Sequence, residues 1–354
     1  MIKYSIFLFI CLFLLTFELT EKKYQKTSFY VLMIFLILIS GLRYKIGNDF
    51  TEYIRYFHSF LKNYNSYGYV EPGFKYIVLF CAFLGLNWQL LFFIFSFLTI
   101  ILFAIFFKKY SKYPLLSAFI FFTFPIFYLT SLDLIREYLA IAIFTYSLRF
   151  IEENNFIKYI VTILIGALFH FSILVCIPLY FLFKIKKIIP FVVIYSFLFF
   201  LGILFIKIVL HFIDISNIYL MHMFHYKPNP TLIVLSIFFF IFFLINKNKL
   251  LKIDSSNIFF LKLYYLSIPL ILTPLISNFP AEGFIRMSTY FTISIMILFP
   301  NYIKSINNKY LRATFTTVLI FASLIYFYHV LYIKGYANHL IPYKININFT
   351  KNIY

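Results

Sequence analysis

Four clusters of ionisable side chains have the residue types and spacing for chemistry. The first is RYKIGNDFTEY, from Arg43 to Tyr53, with Tyr56 just beyond. Gly47 has no Cβ to forbid positive φ, so it permits a tight turn. Asn48 or Asp49 can cap a short helix running through Tyr53, on which Asp49 and Tyr53 share a face one turn apart. Arg43 can hold a phosphate by paired hydrogen bonds; taken alone, it also reads as a snorkelling arginine at the end of a span. The second cluster is Glu71-Pro72-Gly73. Proline suits the first turn of a helix and an acid there complements the helix dipole, a structural role sufficient in itself. The third is Asp133, Arg136 and Glu137, whose i, i+3, i+4 spacing predicts one helical face, used either for an Asp133–Arg136 ion pair or for a site. The fourth is Glu282, Arg286 and Tyr290, spaced i, i+4, i+8, beside Pro280 and Gly283, which suit an irregular loop at a site rim. His170 stands alone in an apolar stretch, where an imidazole either packs with one hydrogen bond or moves a proton near neutral pH. His222 and His225, with His211 upstream, read as solvated loop residues. Cys11, Cys81 and Cys176 have neither metal nor disulfide spacing. No phosphate-binding loop, GxSxG or HExxH is present, and no metal or cofactor is expected.

A very apolar chain must position these clusters. Of 354 residues, 63% are hydrophobic and only 12% charged, against about 25% charged in an ordinary soluble domain. With a mean hydropathy of +0.92, a disordered chain, a nucleic-acid-binding domain and a soluble enzyme of the usual kind are excluded. In lipid the backbone must satisfy its own hydrogen bonds, which leaves helical bundles and closed barrels. The apolar runs are continuous rather than alternating, so the fold class is all-α: a polytopic transmembrane bundle forming a single membrane domain, residues 1–354. Candidate spans are 4–19, 28–42, 89–107, 114–132, 134–151, 188–206, 231–245, 257–276, 284–303 and 313–333, and with the unusual segments 74–86 and 158–183 the count is about ten to twelve. The first run follows Lys3 without a small-residue cleavage site and reads as a retained span. The 53 phenylalanines occur in every run and read as lipid-facing filler.

The net charge of +19 sits mainly in the gaps. Lys108, Lys109 and Lys112; Arg149 and Lys158; Lys184, Lys186 and Lys187; Lys247, Lys249 and Lys252; and Lys304, Lys309 and Arg312 mark cytoplasmic gaps. Residues 132–134, 207–230 and 277–285 then face the other side. Segment 158–183 begins and ends inside, as a broken hairpin with His170-Phe171-Ser172 near its tip. Lys22, Lys23 and Lys26 place their own gap inside and therefore place 43–75 outside, with 74–86 re-entrant.

Taken in order, RYKIGNDFTEY, EPGFKY, IREYLA with LFHFS, and FIRMSTYF resemble the EpsG family of Wzy-like polysaccharide polymerases over most of the chain. The family pattern R-x-x-x-G-x-D-x-x-x-Y falls on Arg43, Gly47, Asp49 and Tyr53, and its Glu-Pro-Gly on residues 71–73. Its histidine falls on His170 and its late arginine on Arg286. Its usual Arg-Gln is here Arg136-Glu137, a carboxylate in place of an amide. The resemblance implies a bacterial inner-membrane glycosyltransferase with a fold similar to the GT-C type. Such an enzyme joins oligosaccharide repeat units carried on undecaprenyl pyrophosphate into O-antigen, capsule or exopolysaccharide. It works on the extracytoplasmic side of the bilayer, beside a flippase and a chain-length regulator, with no nucleic-acid partner.

Under that reading Arg43, Arg136 and Arg286 converge on the departing diphosphate, with Glu71, Tyr53, Glu137 and Tyr290 around it. Asp49, His170 or Glu71 orients or deprotonates the attacking hydroxyl, the first two ranked ahead. Three other readings compete. A flippase for the same lipid-linked sugar would show repeats and basic residues at midspan. A GT-C lipid-phosphate-sugar glycosyltransferase would carry an acidic pair in the first external loop, which Asp49 and Glu52 match only weakly. A membrane acyltransferase would want an earlier histidine than His170.

Overall fold

The structure, a computed structural model, describes residues 2–20, 22–62, 70–185, 187, 190–191, 193–195, 197, 230–276, 281–335 and 339–350. Among the described residues every named element is helical, and β pairing is limited to two isolated bridges. The chain forms two compact units, residues 1–177 with 306–354, and residues 178–305.

The first unit contains α1 (Ile2–Thr20), α2 (Lys22–Gly41), α3 (Phe50–Lys62), α4 (Pro72–Phe83), α5 (Trp88–Tyr110), α6 (Pro114–Thr123), α7 (Tyr128–Asp133), α8 (Ile135–Glu152), α9 (Phe156–Ala167), a 3₁₀ turn (Phe171–Cys176) and the last helix, Lys309–Lys334. Helix α5 packs between α2 and α8, α9 lies against α8, and α1 and α6 flank α2. Local chemistry sets several of these ends. The Asn87 side chain accepts from the Gln89 amide at 2.8 Å and caps α5, and Lys108 and Lys109 complement the dipole at its far end. There Lys109 Nζ lies 2.8 Å from Glu152 Oε2 and the Tyr110 hydroxyl donates to the same carboxylate, so the lysine-rich end of α5 is tied to the end of α8. Arg136 lies at the opposite end of α8, about 24 Å away at 1.5 Å per residue.

Five described helical stretches are long and apolar enough to cross a membrane, namely Lys23–Gly41, Trp88–Tyr110, Asn257–Leu275, Gly283–Ser305 and Lys309–Ile333. A sixth is formed if Pro230–Ile245 and Lys247–Ile253, bent by 65°, are one span. The protein is a multi-pass helical membrane protein, with fewer full-length spans among the described residues than the ten to twelve expected. The shortfall has physical causes. Residues 114–132 do not form one helix: Phe124 is extended (φ −83°, ψ 110°) ahead of Pro125, because a residue before proline is driven out of the helical region. Helix α4 has only 12 residues, about 18 Å. Segment 158–183 is broken, as expected, with α9 ending at Ala167 and extended His170 opening the 3₁₀ turn. Residues 207–229 of the second expected loop, with His211, His222 and His225, and much of 188–206 lie outside the described residues.

In the second unit Lys262 is buried within the helix Asn257–Ile276. Its Nζ donates to the carbonyls of Phe183 (3.3 Å) and Ile185 (2.5 Å), just beyond the short helix Leu179–Leu182. A cation there meets carbonyls that a helix end leaves unpaired.

The polar tail straps the first unit. The Tyr44 amide donates to the Lys344 carbonyl at 2.9 Å and the Asn346 amide to the Leu42 carbonyl at 2.8 Å. The Asn346 side chain donates to Gln89 Oε1 at 3.1 Å, and Gln89 Nε2 donates to the Gly41 carbonyl at 2.7 Å. Asn87 Nδ2 donates to the carbonyls of Asn348 and Thr350. Residues 343–350 thus hold the end of α2 against the start of α5.

Candidate functional site

The site begins with a break in the backbone. Leu134 (φ −98°, ψ 57°) separates α7 from α8, so Asp133 and Arg136 do not share a helical face and the expected one-stripe arrangement with Glu137 does not form. Segment 43–49 holds this corner. The Arg43 guanidinium is fully buried, donates to the carbonyls of Ser40 (2.6 Å) and Leu132 (3.0 Å), and lies over Phe92 at 4.6 Å from the ring centre. Those carbonyls belong to the last turns of α2 and α7, so the cation sits at two helix C-termini at once. Arg43 thus holds backbone carbonyls inside the protein through Nη1 and Nη2, and its Nε, like that of Arg136, is buried without a hydrogen-bond partner.

Gly47 has φ +95°, in the region open to glycine. The Asn48 amide beyond it donates to Asp133 Oδ1 at 2.5 Å, and a Cβ on Gly47 would collide with that carboxylate. Gly47→Ala is therefore expected to push Asp133 off the Asn48 amide and to strain the turn, lowering both the thermal unfolding temperature and activity. Wild-type stability in a detergent melt would refute this.

Asp49 then opens α3, its carbonyl accepting from the Tyr53 amide at 3.0 Å, as the spacing predicts. The residues Phe50, Tyr53, Phe57 and Phe60 form the buried face of α3. Burial pushes the Tyr53 phenol up, and the Arg136 cation beside it pulls the other way. Tyr56 shifts up as well, through burial first and then the negative charge of Glu52.

Glu71 sits at the N-cap of α4, extended (φ −59°, ψ 141°) ahead of Pro72, yet its side chain makes no capping bond. The carboxylate instead pairs with Arg136 Nη1, 65 residues on. The side chains of the pair are only 9% and 20% exposed, and the Arg136 guanidinium lies 5.9 Å from the Tyr53 ring centre and 5.7 Å from that of Phe74. Its Nε is buried without a hydrogen-bond partner. The Gly73 amide donates to the Leu168 carbonyl at 2.7 Å, and a Cβ on Gly73 would lie 2.6 Å from that oxygen, so the start of α4 presses on the broken end of α9. Beyond that break His170 Nδ1 lies 2.6 Å from the Ser172 hydroxyl.

The structure thus gathers Arg43, Gly47, Asp49, Tyr53, Glu71 and Arg136 around one corner of the first unit, with the His170 break joined to it through Gly73. Glu137 is buried in the first turn of α8. Arg286 and Tyr290 lie on the helix Ala281–Thr292 of the second unit, where Tyr290 is fully buried and Arg286 half-buried. The side chain of Glu282 lies outside the described residues. Sequence reasoning weighed Asp133 as part of a stripe but missed its bond to the Asn48 amide; Gly47 with a polar residue after it was the available signal. It gave no role to the tail. Among the described residues no group of three or more His, Cys, Asp or Glu side chains is placed to hold a metal.

Chemically, the corner offers a fixed guanidinium with an unused donor, flanked by aromatic rings and by carboxylates. That set suits an anion bearing several oxygens. The model of the EpsG family matches residues 26–345, most of the chain. No curated protein and no solved structure matches it.

Proposed function

Because the chain belongs to the EpsG family, which is associated with polysaccharide polymerase-like glycosyl transfer, we propose that it polymerises oligosaccharide repeat units carried on undecaprenyl pyrophosphate, on the extracytoplasmic side of a bacterial inner membrane. The observation that carries the proposal is Arg136. A guanidinium held over Tyr53 and Phe74, with a buried Nε lacking an acceptor, is pre-organised for charge that grows on a departing diphosphate. The hydroxyl of one repeat unit attacks the anomeric carbon of the other. The new glycosidic bond forms as the bond to the diphosphate breaks, and the lipid diphosphate leaves with the electron pair. The hydroxyl proton passes to a nearby base, for which Asp49 at the head of α3 and His170 at the break after α9 are the candidates.

The test is reconstitution. Purified protein in vesicles, given a synthetic undecaprenyl-diphosphate oligosaccharide, is expected to yield a ladder of products differing by one repeat unit. Movement of the intact substrate across the bilayer with no ladder would instead establish a flippase and overturn the reading.

A further inference from the structure

We propose that Glu71 is an exchangeable counter-ion that competes with the lipid diphosphate for Arg136: it yields the guanidinium when substrate binds and reclaims it to expel the product. The inference rests on the reading above, that Arg136 grips the diphosphate.

Three observations carry it. Glu71 stands where an acid normally caps a helix, yet its carboxylate makes no capping bond and points to Arg136. The grip is one-pronged: Nη1 holds Oε2 while Nε, buried beside it, lacks an acceptor. A diphosphate has enough oxygens to take both donors in parallel, the geometry in which arginine binds most strongly. Contacts other than the ion pair also hold α4 in place. The Gly73 bond to Leu168 anchors that helix, and buried Phe74 packs among Tyr53, Phe60 and Phe95 with ring centres 5.8 to 6.5 Å apart.

The exchange solves two problems with one carboxylate. A largely buried guanidinium is costly without a counter-charge, and Glu71 provides one between turnovers. A site that binds a leaving group well also releases it slowly, and release limits many enzymes. A tethered carboxylate is always at hand to take the arginine back. Glu71 acts through Arg136 and is a positioning residue.

The experiment measures binding of undecaprenyl diphosphate to the detergent-solubilised full chain, and its inhibition of polymerisation, for wild type, Glu71→Gln, Glu71→Asp and Arg136→Ala. Glu71→Gln is expected to bind the lipid diphosphate about ten-fold tighter, the effect of removing a competitor worth about 1.4 kcal/mol, while turnover falls and product inhibition deepens. Glu71→Asp, which keeps the charge on a shorter arm, is expected to fall between, and it carries the test if Glu71→Gln does not fold. Unchanged or weaker binding in folded Glu71 variants, with Arg136→Ala still abolishing binding, would overturn the exchange and leave the site reading standing. Failure of wild type to bind undecaprenyl diphosphate would overturn both.

Discussion

Replacing Arg136 with alanine is expected to stop chain extension, with a fall in turnover of about 10²–10³-fold, the usual cost of removing one pre-organised donor to a developing negative charge. In a producing cell the surface glycan would then carry single capped repeat units, whereas a flippase defect would leave none. The variant needs a folding control, because it strands the nearly buried Glu71 without its partner, and an unpaired buried charge is itself destabilising. The double variant Arg136→Ala/Glu71→Gln removes that charge. Stability should recover in the double variant while polymerisation does not. Recovery of both would show that Arg136 serves the fold alone, and long chains from the single variant would remove it from the site. Arg136→Lys is expected to recover little, since an ammonium cannot present two parallel donors.

What the sequence reveals here is local. Pro72 announces a helix start, the i, i+3, i+7, i+10 recurrence of Phe50, Tyr53, Phe57 and Phe60 marks one helical face, and Lys108 and Lys109 suit the last turn of α5, whereas the break at Pro125 was passed over in reading 114–132 as one span. Each of these acts on its neighbours through sterics, periodicity or charge. The break at Leu134 has no such mark. No glycine or proline stands there, and the corner is held by partners 85 and 89 residues away, the Asn48 amide and the Arg43 guanidinium. Because that break was invisible, Asp133, Arg136 and Glu137 read as one stripe, serving either an Asp133–Arg136 pair or a site, and the pairing of Arg136 with Glu71 had no signal. The tail was opaque for the same reason. Tyr343 and Asn346 act on Ile39, Leu42 and Gln89, roughly 250 to 300 residues away in sequence, and nothing in a run of polar residues says which helix ends it will bind. The site motif was legible as a motif, but not the division of contacts within it, in which Arg43 reaches the Leu132 carbonyl, the turn at Gly47 meets Asp133, and Arg136 pairs with Glu71.

That division makes Arg43 the second sharp test. If its donors satisfy the carbonyls of Ser40 and Leu132, then Arg43→Met, similar in length and apolar, leaves two buried acceptors without a donor, at about 1–3 kcal/mol each. It also removes the cation from two helix ends. The expected result is a thermal unfolding temperature lower by many degrees, reduced folded yield, and a loss of polymerisation that follows from displacement of the Leu134 corner. A diphosphate-binding arginine behaves differently: its loss would leave the melt unchanged and weaken the affinity for undecaprenyl diphosphate. Arg43→Lys separates the two further. An ammonium can reach one carbonyl but not fork between two, so a brace is expected to be restored in part, with stability and activity rising together. Stability at the wild-type level in both variants, with lipid affinity alone reduced, would return Arg43 to the ligand and make the corner, rather than the arginine beyond it, the place where the diphosphate is held.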